Sequence, residues 1–317
     1  MIRTVLGDID VADLGVCYAH EHIIIDPSVA TLRCSGIELP SVENGIDELK
    51  RFHAAGGRTM VDSMPCDAGR NVVKLAEVSR GSGVNILCPT GLHLSKYYDP
   101  GHWGGRYDVD RLAGLFIADI EEGIDRYDYA GPVIERTPHR AGLIKVATEA
   151  PVLTARAERI FEAAARAQVA TGVAILTHTE KGEGALEQVE TLTRHGVPAG
   201  RIVLSHTDKK PDPGYHHEIF STGARVEYDS GFRWKTEENP TLDLLERFLP
   251  EFPDQIMLGM DAARPAYWVS YGGSPGLDFL LTTFTARMRE RGIGDDAWQR
   301  IFLSTPAAAY DRNPTTS

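Results

Sequence analysis

Eight short apolar runs, with helical patterns between most of them, constrain this chain more than any other feature of its sequence. The runs lie at 17 to 26, 58 to 65, 84 to 93, 141 to 149, 172 to 180, 202 to 208, 224 to 230 and 256 to 262. Strands apolar on both faces need cover on both sides, which helices wrapped around a parallel sheet provide. Thr154 is placed to cap a helix whose stripe is Ala157, Ile160, Phe161 and Ala164, and Gly172 ends it. A second pattern turns Leu186, Val189 and Leu192 inward before Gly196, and further helices are expected over 42 to 55, 70 to 80, 109 to 127 and 276 to 291. This eightfold alternation predicts an α/β fold, a (β/α)8 TIM barrel. A doubly wound open sheet would show a Gly-rich phosphate turn after its first strand, where this chain carries two histidines instead. Residues 1 to 16, broken by Gly7, Asp8, Asp10 and Gly15, predict a short N-terminal β-hairpin. No Pro-, Gly- or Ser-rich linker divides the chain, so a single domain over 1–317 is expected.

Length alone does not choose between one large barrel and two ordinary domains. Composition excludes more: 33 basic against 45 acidic residues leave a formal charge of -12, which disfavours nucleic acid and anionic membranes as partners. The four cysteines (Cys17, Cys34, Cys66, Cys88) form no C-x-x-C pair, which fits buried free thiols in a reducing compartment. With no apolar stretch resembling a leader or a membrane span, a cytoplasmic protein is expected.

The first run contains His20-Glu21-His22, followed by the β-branched Ile23, Ile24 and Ile25 and closed by Pro27. On a strand, side chains alternate faces, so His20 and His22 converge and Glu21 points away. Barrel enzymes carry their chemistry at the C-terminal ends of the strands. There the fourth run supplies Lys145, the fifth His178, the sixth His206 and the eighth Asp261. Singly, each has a structural explanation: a snorkelling lysine, a core histidine, a helix cap. Gathered at one end of a barrel they would have to be desolvated together at a cost of several kcal/mol, which a pair of divalent cations would offset. The other histidines (His53, His102, His139, His195, His216, His217) share no ligand spacing and read as surface or loop residues, although adjacent His216 and His217 suit an adventitious ion.

This set of residues resembles the ligand set of the amidohydrolase superfamily, and more narrowly of the phosphotriesterase family. The likeness runs from Thr4-Val-Leu-Gly-Asp-Ile9 through the histidine pair and the turns after His178 and His206 to Gly259-Met-Asp-Ala-Ala-Arg264. The resemblance implies a buried metal on His20, His22 and Asp261 and a second on His178 and His206. N6-carboxylated Lys145 and a hydroxide would bridge the two ions. Zinc is the expected metal, with manganese or cobalt also suited to such donors. It implies metal-assisted hydrolysis, with Asp261 as the catalytic proton shuttle. A branch of the family that opens phosphorylated sugar lactones grips the phosphate with a Lys, an Arg and a Tyr, here matched by Lys235, Arg264 and Tyr267, with Arg233 as a neighbour. The segment after the third run adds His93, Tyr97 and Tyr98 as hydrogen-bonding partners. A small anionic substrate and a homodimer are expected on this likeness. The competing readings are a neutral lactonase or phosphotriesterase, and a non-catalytic binding protein on the same scaffold.

Overall fold

A computed structural model describes residues 1–149, 152–234 and 238–312. The N-terminal hairpin is there: β1 (Ile2–Thr4) and β2 (Gly7–Ile9) pair antiparallel, with Ile2 opposite Ile9. It closes the floor of the barrel, since buried Ile2 packs with the lumen residues Cys17, Leu143 and Met257.

The eight runs form the barrel wall. In order they are β3 (Cys17–Glu21), β4 (Thr59–Asp62), β5 (Asn85–Leu87) with β6 (Pro89–Gly91), β7 (Leu143–Thr148), β8 (Ala174–Thr179), β9 (Ile202–Ser205), β10 (Arg225–Tyr228) and β11 (Ile256–Leu258). Strands β3 to β5 form one parallel set and β6 to β11 another. The break at β5 and β6 falls within one run, around Cys88, and the carbonyl of Cys88 still accepts from Gly142 across the gap (2.9 Å). At the other seam the amides of Met260 and Asp261 both donate to the carbonyl of His20, at 3.2 and 3.1 Å. At Gly91 the third strand presses so close to the fourth that a Cβ would lie 2.0 Å from the carbonyl oxygen of Lys145.

Most of the expected helices form where their caps place them. Thr154 accepts from Ala157 N (3.2 Å) to start the helix Ala155–Thr171, and left-handed Gly172 stops it. The pattern expected to run to 127 ends at Glu121, because Gly123 turns there at φ +133° against the carbonyl of Thr137. The stretch expected over 276 to 291 forms a π-turn at Leu280–Phe284 and an α-helix at Thr285–Glu290. Two further helices, Pro213–Ser221 and Pro240–Phe248, start at Asp212 and Asn239 with proline in the first turn, a capping signal legible in the sequence. Among the described residues no helix is long and apolar enough to cross a membrane.

His216 is not a surface or loop residue. It lies in the helix Pro213–Ser221 with no exposure, Nε2 bonding the carbonyls of Thr207 and Lys210 (3.1 Å each) and Nδ1 the Tyr228 hydroxyl (2.9 Å). His139 is buried as well, with Nδ1 on the carbonyl of Val5 (2.7 Å). Replacing His216 by Leu strands the buried Tyr228 hydroxyl. We expect a loss of about 1–3 kcal/mol, read as a lower urea midpoint with kcat unchanged.

Candidate metal centre and active site

At the C-terminal ends of the strands a cavity of about 310 Å3 opens, and His20, His22, His178, His206 and Asp261 all line it. Plain alternation does not explain how His20 arrives there. Tyr18 packs outward against the helices while Cys17 and Ala19 pack in the lumen, which would turn His20 outward too. A register slip between Tyr18 and Glu21 resets the alternation. His20 and His22 then face the cavity, and Glu21 points away, as its position between them predicts. The Glu21 carboxylate accepts from Met260 N (2.7 Å) and Ala262 N (3.3 Å), holding the chain on both sides of Asp261.

Two other ligand candidates depend on unusual backbone. His206 and Asp261 have φ of +68° and +47°. Ser205 already points into the lumen, where its hydroxyl meets His20 Nδ1 at 2.9 Å, so only a left-handed residue can bring His206 to the same side. Such conformations cost roughly 1–2 kcal/mol per residue, less for His and Asp than for branched side chains.

The side chains converge closely. The Asp261 Oδ1 atom lies 3.1 Å from His22 Nε2 and 3.7 Å from His20 Nε2. The ring of His206 is centred 4.9 Å from that of His20 and 4.5 Å from that of His178. Asp229 hydrogen-bonds His206 Nδ1 and so fixes which ring nitrogen stays available. Among the described residues two groups of donors lie close enough to share an ion: His20, His22 and Asp261, and His20, His206, Glu227 and Asp229. Lys145 is 1% exposed beside them, and its Nζ has no hydrogen-bond partner among the described residues.

Burial sets the protonation of this cluster. It holds His20 well below the usual imidazole range and His178 down to about 3, with cationic neighbours adding to the effect. Neutral imidazoles offer lone pairs, the form a metal binds. Burial also pulls Lys145 down to about 8, against the opposing pull of Asp261 and Glu227. For Asp261 burial works upward, but the hydrogen bond from His22 and the charges of Lys209, His206 and Arg233 hold it well below the carboxylate range. The donor set, an unpartnered lysine and the imidazoles of His20 and His178 in their neutral form fit divalent cations.

The cavity wall opposite is cationic. Arg264 precedes the turn Pro265–Tyr267, Tyr267 ends it, and both line the cavity. Lys235 lies outside the described residues. Its neighbour Arg233 takes the wall position, with Nη2 donating to the Asp261 carbonyl (2.7 Å) and lying 3.3 Å from Oδ2. Lys209, which the sequence reading overlooked, brings Nζ to 3.6 Å from both Asp229 and Asp261. Its position just after His206 was the available signal. His93 lines the cavity 5.0 Å from the His178 ring, its Nδ1 accepting from Leu94 N (2.7 Å). Tyr98 does not face the cavity: its hydroxyl accepts from His93 N (2.8 Å) and donates to the Cys66 carbonyl (3.1 Å), so it supports His93 from behind. Of this adjacent pair, Tyr97 is the one that lines the site.

The phosphotriesterase family model matches residues 1–310. The chain belongs to the phosphotriesterase family. It is 32% identical over 316 residues to a phospho-furanose lactonase of Mycoplasmopsis synoviae, covering 96% of this chain and 90% of that one. It is 26% identical to an aryldialkylphosphatase of Saccharolobus solfataricus, covering 94% and 95%. The crystal structure of a lactonase from Listeria monocytogenes superposes with a TM-score of 0.89 at 28% identity, over 99% of both chains. This phosphotriesterase-family chain is a metal-dependent hydrolase, and its barrel is the one its relatives share.

Proposed function

We propose that the protein is a lactonase that opens a phosphorylated furanose lactone at a binuclear metal centre. The observation that carries the substrate class is Arg264. Its guanidinium is exposed at the cavity and forms no ion pair among the described residues, its one hydrogen bond there being to the Ser35 carbonyl at 3.4 Å. Arg233 and Lys209 are already matched to Asp229 and Asp261, so among the described residues lining the cavity Arg264 is the cation free for an incoming anion. The Tyr267 phenol one turn away complements it. In a chain of net charge -12 such a wall runs against the overall charge. The phospho-furanose lactonase relative supports the same reading.

In this reading His20, His22 and Asp261 would hold one ion and His178 and His206 the other, with zinc, manganese or cobalt all suited to the donors. The ions, when bound, make hydroxide available at neutral pH and polarise a carbonyl oxygen. Lys145 joins them as its N6-carboxylate: the neutral amine that burial favours adds carbon dioxide and loses a proton, leaving a carboxylate where an ammonium could not ligate. Asp261 takes the proton of the attacking water and returns it to the ring oxygen as the acyl bond breaks, giving the open hydroxy acid. Arg233 and Lys209 keep Asp261 anionic and oriented. Arg264 and Tyr267 hold the phosphate, so the ring carbonyl stays over the centre.

The test is a comparison of kcat/KM for phosphorylated and unphosphorylated furanose lactones. Arg264→Ala should cost about 2–4 kcal/mol of transition-state binding, roughly 30- to 1000-fold in kcat/KM, for the phosphorylated substrate alone. Equal values for the two substrates in the wild type would remove the anion anchor and leave a neutral lactonase or phosphotriesterase.

A further inference from the structure

Glu227 lies on β10, inside the lumen and below the metal centre, with no exposed surface. Neither carboxylate oxygen has a hydrogen-bond partner among the described residues. Buried carboxylates are ordinarily paired, because an uncompensated one is costly. Space for it is specific: a Cβ on Gly259 would fall 2.8 Å from Oε1. Asp229 sets a second carboxyl group against it, and the imidazole of His20 is the basic group in reach, with Nδ1 3.4 Å from Oε2. On the other side of the same ring, Nε2 points to Asp261 at 3.7 Å, where the buried ion would sit. A histidine that ligates through one nitrogen donates the other N–H to an acceptor, and a carboxylate there strengthens the ligand and adds charge opposite the cation.

We infer that Glu227 is a positioning residue for the buried metal: it receives the Nδ1–H of His20, shared with the Ser205 hydroxyl, and supplies the negative charge that the ion answers. This inference rests on the metal-centre reading above. It explains why an acidic residue sits inside an apolar strand with no hydrogen-bond partner among the described residues. Without metal the carboxylate is a liability; with metal it is compensated.

Metal-free protein prepared by chelation is titrated with zinc against a chromophoric competitor, and its thermal midpoint is measured without metal. Wild type should take two ions. Glu227→Gln should weaken one of them 10- to 100-fold and leave the other unchanged, while the midpoint of the metal-free variant rises above that of metal-free wild type. Ser205→Ala, which leaves Glu227 as the acceptor, should keep both affinities within about threefold. Should Glu227→Gln not fold, Glu227→Met carries the same expectation. Unchanged affinities in the Glu227 variant, or the loss appearing in Ser205→Ala instead, overturns the inference alone. Wild type that takes up no zinc overturns the metal-centre reading, and the inference with it.

Discussion

Asp261→Asn is expected to lower kcat by at least about 10³-fold, the upper part of the range for losing a positioned acid-base group. The larger effect follows from how much depends on one carboxylate. Oδ1 faces His20 and His22, and Oδ2 faces Lys209 and Arg233 at 3.6 and 3.3 Å. An amide supplies no charge to either side, so two cations are left facing the metal position. Bound metal should fall with activity, read by elemental analysis beside steady-state kinetics. The fold should persist, because the backbone bonds from His20 and the Glu21 carboxylate hold the 260–262 segment without the side chain. An Asn variant with two bound ions and wild-type kcat would remove Asp261 from the reaction.

Lys145→Met should be equally damaging to turnover, by about 10³-fold or more if its carboxylated form joins the ions. It should act on stability in the opposite direction. In the metal-free protein burial lowers this amine from the ordinary 10.5 to about 8. A base with a depressed folded pKa destabilises the fold fully below the folded value. The penalty shrinks as pH rises from about 8 and is gone above the unfolded value near 10.5. At neutral pH it is on the order of 3 kcal/mol. Metal-free Lys145→Met should therefore be more stable than metal-free wild type at pH 7, with the gap narrowing between pH 8 and 10. Urea titrations at several pH values measure this, and a gap independent of pH would mean that the lysine is not a buried charge in the native state.

Much of the site was legible because a strand end is a local feature. An apolar run that stops at a histidine, lysine or aspartate says where that side chain will lie once the barrel is known, and His20, His22, His178, His206 and Asp261 all reach the cavity. What failed were inferences from neighbourhood in sequence. Tyr98 and Tyr97 are adjacent, yet a 3-10 turn at Ser95–Tyr97 sends one into the cavity and the other behind His93. His216 and His217 look equivalent on paper. One face of their helix is buried, so the first is a core residue and the second is exposed.

The sequence by itself determined the barrel, because eight doubly apolar strands leave few other ways to hide both faces, and it determined which polar residues end those strands. The tertiary structure decided the rest. The register slip in β3 and the left-handed turns at His206 and Asp261 choose which way four of those side chains point. The approach of β10 and β11 to His20 brings Glu227 beneath the centre, and the loop after β10 sets Arg233 against Asp261. These are contacts between segments up to about 240 residues apart. Their energies depend on distance and burial, neither of which a local pattern of residues encodes.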